Sequence, residues 1–240
     1  FGESFKFSKA TKEEVIEMLA KFSNEERTLS MRKSCPTSLN IYGVSVPHIK
    51  QVAKEIVGIT KLNKIDERKH LAFELSKSDI FECQCAGFEY IKLQKDILNN
   101  VSKNDLEYLG SHLDNWVSVD TFSVYINGFL WNKGVITIDE IKKRLESPDV
   151  WQRRIAVVST VPLNQKSNGG KGDTKQTLEI CEMVIADKHP LITKALSWAL
   201  RELSKRDKES VMMFYRANEN KLSPHVKREV LNKIITGKKN

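Results

Sequence analysis

The chain has 240 residues, 40% of them hydrophobic and 29% charged, with 39 Lys and Arg against 31 Asp and Glu and a net charge of +8. That length suits one large core or one solenoid, and no run of about 18 apolar residues offers a membrane span. The four cysteines, Cys35, Cys83, Cys85 and Cys181, contain no Cys-x-x-Cys pair, so they read as free thiols in a reducing compartment and not as a zinc site or disulfide framework.

From the N-terminus, Phe1–Lys12 lacks the charged-then-apolar pattern of a secretory leader. Helices are then predicted at 11–22 and 24–33, opened by the capping boxes Thr11-Lys-Glu-Glu14 and Ser23-Asn-Glu-Glu26. Val46-Pro47 opens 47–58, where Ile49, Val52, Ala53 and Ile56 share one face. Helices at 64–76, 79–94, 103–111 and 115–130 follow. Thr137-Ile-Asp-Glu140 caps 137–145, and Ser147-Pro148 precedes 149–162 with Ser as cap and Pro as first helical residue. The remaining helices are 174–186, 190–205, 208–217 and 224–235, the last behind Ser223-Pro224. Strand signals are nearly absent. The helix pairs recur at about 35 to 40 residues, the period of HEAT and armadillo repeats. The expectation is an all-α, HEAT-like helical-repeat solenoid forming a single domain over 1–240, with a concave basic groove.

Along these helices, placed at about 100° per residue, four features carry chemistry. In 115–130, Val119, Phe122, Ile126 and Phe129 form an apolar stripe, and Trp116, Asp120, Ser123 and Asn127 lie opposite. Trp116 and Asp120 are one turn apart on one face. Asp120 is either a surface acid paired with an arginine or a catalytic carboxylate beside an aromatic wall. In Trp151-Gln-Arg-Arg154, Arg154 projects among Trp151, Val158 and Val161, so it must meet an anion or extend its head to water.

The third feature is the connection Leu163-Asn-Gln-Lys-Ser-Asn-Gly-Gly-Lys-Gly-Asp173. It reads as a mobile basic loop without the spacing of a P-loop: either a plain linker or a backbone able to approach phosphates. In 190–205, Ile192, Ala195, Leu196, Ala199, Leu200 and Leu203 form the apolar stripe, while Lys194, Trp198, Arg201 and Lys205 share a narrow arc opposite. A tryptophan among cations suits stacking on a ligand whose phosphates the cations take. From Asp187 onward, 13 Lys and Arg face 6 Asp and Glu, so most of the net charge lies in this tail, and a polyanion is the expected partner.

The segments Asn115-Trp-Val-Ser-Val-Asp120, Trp151-Gln-Arg-Arg-Ile-Ala156, Lys194-Ala-Leu-Ser-Trp-Ala-Leu-Arg-Glu202 and Val226-Lys-Arg-Glu-Val230 resemble the AlkD-type DNA alkylation repair glycosylases, in order and spacing, from about Tyr42 to Lys238. The resemblance implies a HEAT-like solenoid that excises cationic N3- and N7-alkylated purines from double-stranded DNA in base excision repair, without a metal or other cofactor and without base flipping. It implies Asp120 as the catalytic carboxylate, Trp116 and Trp198 as aromatic walls against the lesion, and Arg154 and Arg201 as phosphate contacts. Lys194 joins these contacts by its place in the stripe. The corresponding partners are alkylated duplex DNA and no membrane, for an intracellular monomer.

Two positions depart from the family pattern. Val117 stands where an acid often follows the first tryptophan, and Ser34, in Met31–Cys35, stands near the expected place of a further groove aromatic. The alternative is a non-catalytic binder of damaged, bent or branched DNA. A protein-interaction scaffold is a third reading, disfavoured by tryptophans set in basic stripes.

Overall fold

The computed structural model describes residues 10–239, of which 69% are helical, with no strand among them. The chain forms two compact units, Phe1–Thr121 and Phe122–Asn240.

The described part of the first unit contains α1 (Lys12–Ala20), α2 (Glu25–Ser34), α3 (Val46–Ile59), α4 (Ile65–Ser76), α5 (Phe81–Lys92), α6 (Lys95–Asn99), α7 (Lys103–Gly110) and most of α8 (Trp116–Phe122). The Thr11–Glu14 capping box forms as expected. In α2 the cap is Asn24 and not Ser23: its Oδ1 accepts the Arg27 N–H at 2.8 Å. Tertiary contact explains the shift. The Asn24 N–H donates to the Tyr42 carbonyl, and Gly43, at φ +74°, comes so close that a Cβ there would lie 2.1 Å from the Asn24 oxygen. The buried Glu82 carboxylate holds this crossing by accepting the N–H groups of Tyr42, Gly43 and Val44.

Helix α5 packs against both α3 and α4, and the predicted face of α3 (Ile49, Val52, Ala53 and Ile56) is buried. One parallel bridge, Asn40 with Ile80, ties the segment before Tyr42 to the start of α5. The short helix α6 was not expected from the periodicity, because at five residues it is little longer than one helical turn.

In the second unit a π-helical turn (Ser123–Asn127) continues α8 and leads to α9 (Gly128–Asn132). Then come α10 (Ile138–Leu145), α11 (Val150–Val158), α12 (Val161–Asn164), α13 (Thr174–Met183), α14 (Pro190–Leu203), α15 (Lys208–Ala217) and α16 (Pro224–Thr236). The Thr137–Glu140 capping box and the Ser223 cap with Pro224 are present. For α11 the cap is Asp149, which accepts the Trp151 N–H at 2.9 Å, and Ser147 instead accepts the Asp149 N–H. The helix expected at 149–162 stops at Val158, and Pro162 sits in the first turn of α12. Helix α14 packs on α11, α13 and α16, and all six predicted apolar residues of its stripe are buried.

The glycine-rich segment 163–173 is tied down, not a loose linker. Arg206 donates to the carbonyls of Asn164 (2.8 Å) and Gly170 (2.7 Å), the Gly172 N–H to that of Leu163, and the Asp173 N–H to Asn164 Oδ1. A Cβ at Gly170 would lie 2.1 Å from the Pro162 oxygen, so this approach requires glycine. The four cysteines carry no disulfide; Cys35, Cys83 and Cys181 are buried, and burial pushes Cys83 up to about 11.

Candidate nucleic-acid interface

In the first unit, α8 carries Trp116 and Asp120. Its start is set by Asn115, a buried residue whose Oδ1 accepts the Ser118 N–H at 2.9 Å. Just before it, Asp114 accepts hydrogen bonds from Thr37 Oγ1 (2.5 Å) and from both the backbone and hydroxyl of Ser38 (2.6 Å each). Burial pushes the Asp114 carboxyl up, but these donors prevail and hold it below its ordinary range. The loop after α2 is thereby fastened to the start of α8. Trp116 is 42% exposed, a large fraction for tryptophan, and its Nε1 donates to the Ser34 carbonyl at 3.1 Å. The residue near which the resemblance expects an aromatic is therefore in contact with Trp116, but it is an exposed serine. Asp120, one turn on, is half-buried.

The polar side predicted for 115–130 does not extend past Asp120. Ser123 and Asn127 are buried, and Asn127 Nδ2 donates to Ser159 Oγ at 2.8 Å. The reason is packing: α11 and α12 both lie against the π-turn Ser123–Asn127, so the side opposite the apolar stripe is covered as well.

In the second unit, α14 presents Lys194 exposed and Trp198 and Arg201 half-buried. Arg201 is held from behind by a buried carboxylate that the sequence reading did not single out. Glu229 of α16 lies 3.5 Å from Arg201 Nε and accepts the Ser197 hydroxyl at 2.6 Å; Ser197 Oγ also takes the Arg201 Nε–H at 3.2 Å. His225 and Lys239 reach the same carboxylate at 3.4 Å each. Burial pushes Glu229 up, but Ser197, Arg201, His225 and Lys239 together hold it below the carboxylate range. Burial pulls the Arg201 guanidinium down, opposed by Glu229 and Glu202. The available signal was the i, i+4 pair His225 and Glu229, but only the packing of α14 on α16 brings it to Arg201.

Arg154 is buried on α11, as the wheel suggested, and its Nη1 donates to the Leu191 carbonyl at 2.5 Å. The neighbouring Arg153 pairs with Asp187 at 2.9 Å and caps the carbonyls of Ser147 and Pro148. Among the described residues no group of three or more His, Cys, Asp or Glu is placed to hold a metal ion, and no helix is long and apolar enough to cross a membrane.

A family model described as DNA alkylation repair enzyme matches residues 15–234. A solved structure, a predicted DNA alkylation repair enzyme from Enterococcus faecalis, superposes with a TM-score of 0.69 at 18% identity, covering 90% of this chain and 98% of that one; this likeness shows a shared fold. No curated protein matches the chain.

Proposed function

The chain belongs to the DNA alkylation repair enzyme family, and from that premise we propose that it is a DNA glycosylase for cationic N3- and N7-alkylated purines in duplex DNA. The observation that carries the reading is the pairing on α8 of an exposed tryptophan with a carboxylate one turn away, at the start of a helix tethered through Ser34 and Asp114.

Alkylation leaves the purine positively charged, so the base departs without a general acid. The sugar then acquires oxocarbenium character, and a nearby carboxylate stabilises that charge as in glycoside hydrolysis. Asp120 is the group for this role, and it also orients the water that attacks the sugar. The face of Trp116 favours a cationic centre through its quadrupole, and Trp198 supplies a second aromatic face to the lesion nucleotide. Lys194 and Arg201 take backbone phosphates. Arg201 suits this because Glu229 and Ser197 engage its Nε, which sets the direction of the remaining guanidinium donors. Arg154 is a further phosphate contact in this reading. Nothing in this chemistry calls for a metal, a cofactor or extrusion of the base.

The test is single-turnover release of 7-alkylguanine or 3-alkyladenine from a duplex by the purified protein. Release well above the spontaneous rate is the expected result. Binding without release would favour a second reading, a non-catalytic binder of damaged, bent or branched DNA. The specific observation behind that alternative is Ser34, a small side chain beside Trp116 where the family resemblance expects an aromatic.

A further inference from the structure

The glycine-rich connection has no role in the chemistry above, yet it is held in a defined shape against the end of α14. Between them lies a cavity of about 410 Å³, walled on one side by Lys166 and Ser167 and on the other by Glu202, Lys205 and Arg206. We propose that this cavity is a phosphodiester subsite that grips the DNA backbone beyond the cations of α14; the proposal rests on the DNA-binding reading of that helix.

Three observations carry it. First, Lys205 follows Arg201, the last of the α14 cations, by four residues and lies in the turn just past the Ser204 C-cap of that helix. The arc of Lys194, Trp198 and Arg201 runs about 10 Å along the helix axis, and Lys205, just beyond it, is a wall of the cavity. A strand tracking the arc is thus led to the cavity.

Second, the wall chemistry selects the backbone and not a base. Three cations face the space, with amide and hydroxyl groups beside them and no aromatic side chain on which a base would stack. Two features oppose an anion: the Glu202 carboxylate and the negative end of the α14 dipole. Glu202 is spent on Lys205, whose Nζ donates to it at 2.7 Å, and this pair also fixes the ammonium at the rim. Lys166 and Arg206 remain as the surplus positive charge.

Third, the site is formed in advance. Arg206 ties the Asn164 and Gly170 carbonyls to the helix end, and Gly170 permits the close backbone approach that folds the loop over. The exposed Lys166 and Ser167 are consequently held at the cavity without a loop-ordering cost on binding.

The experiment compares wild type, Lys166→Gln and the double variant Lys166→Gln/Lys205→Gln in duplex binding across a salt series, using duplexes that carry one neutral methylphosphonate at each successive position. Lys166 is exposed, so the single variant keeps the test valid should loss of the Glu202 partner unfold the double one. The salt slope should fall by about 1 for the single variant, and the double should bind more weakly still because Glu202 then faces the phosphate without its lysine. One methylphosphonate position should weaken wild type and leave Lys166→Gln indifferent, because phosphate and lysine are partners. A uniform loss at every position would mean diffuse attraction and overturn the subsite. A wild-type slope in Lys166→Gln, with a reduced slope in Lys194→Gln, would also overturn it while leaving the DNA reading of α14 intact. Salt-insensitive or absent duplex binding by the wild type would overturn both.

Discussion

Helices α8 and α14 each present a tryptophan, and they hold it by different physics. Trp116 sits at the first residue of a seven-residue helix that gives way to a π-turn, and a single neutral hydrogen bond to Ser34 steadies its exposed ring. Trp198 sits in the middle of a 14-residue helix with a fully buried apolar face, one turn from an arginine anchored by Glu229. The first arrangement places a carboxylate and an aromatic together on a short, irregular element. The second lines cations along a rigid rod. The difference suits chemistry on α8 and backbone tracking on α14, and it can be broken experimentally.

The largest effect is expected at Asp120. Asp120→Asn should slow single-turnover base release by roughly 10²–10³-fold, typical of losing one electrostatic stabiliser, with DNA affinity level or slightly higher since a negative charge has left. A wild-type rate in this variant would remove the catalytic assignment of α8 and with it the contrast between the two helices.

Stability should divide the helices next. Glu229→Ala leaves Arg201 without its buried partner and should cost about 2–3 kcal/mol in denaturant unfolding. Trp116→Phe deletes one hydrogen bond at an exposed ring and should cost about 1 kcal/mol or less. Equal losses would mean that α8 is as firmly built as α14.

Acid should touch both helices through different carboxylates. Glu229 and Asp114 have folded-state values below their ordinary 4.5 and 3.8. Each therefore contributes stability that is present above its ordinary value and is lost as pH falls through the lowered folded-state value. Glu229→Gln should flatten the loss of stability below about pH 4.5 without altering the Asp114 contribution at lower pH, read from melting curves between pH 6 and 2.

The smallest effect is at Lys194, which is exposed and is the cleaner probe of backbone tracking because Arg201 also supports the fold. Lys194→Ala should reduce the salt slope of duplex binding by about 1 and change stability by less than about 0.5 kcal/mol. An unchanged slope would place the phosphates elsewhere.

The positions of most helices could be read directly, because caps and 3.6-residue periodicity are local. The boxes at Thr11 and Thr137, the stripe of α14 and the pairing of Trp116 with Asp120 on one helix all follow from residues within a few positions of each other. Where neighbours competed, local rules were too weak. Ser23 and Asn24 both cap well, and the contact with Tyr42 and Gly43 chose Asn24; Ser147 and Asp149 both precede α11, and the chain used Asp149.

By itself, then, the sequence determined the all-helical class, the apolar faces of α3 and α14 and the residues that make α8 and α14 unusual, since each is a property of one segment and its periodicity. The tertiary structure alone decided three things. The packing of α11 and α12 buried Ser123 and Asn127, Glu229 was brought 32 residues across the chain to Ser197, and the glycine-rich connection was folded onto Arg206. In each, the deciding partner lies beyond the reach of a helical turn: Ser159 for Asn127, Glu229 for Ser197 and Arg206 for Gly170. A buried carboxylate or an ordered loop exists only once distant groups have met and replaced the water each would otherwise keep.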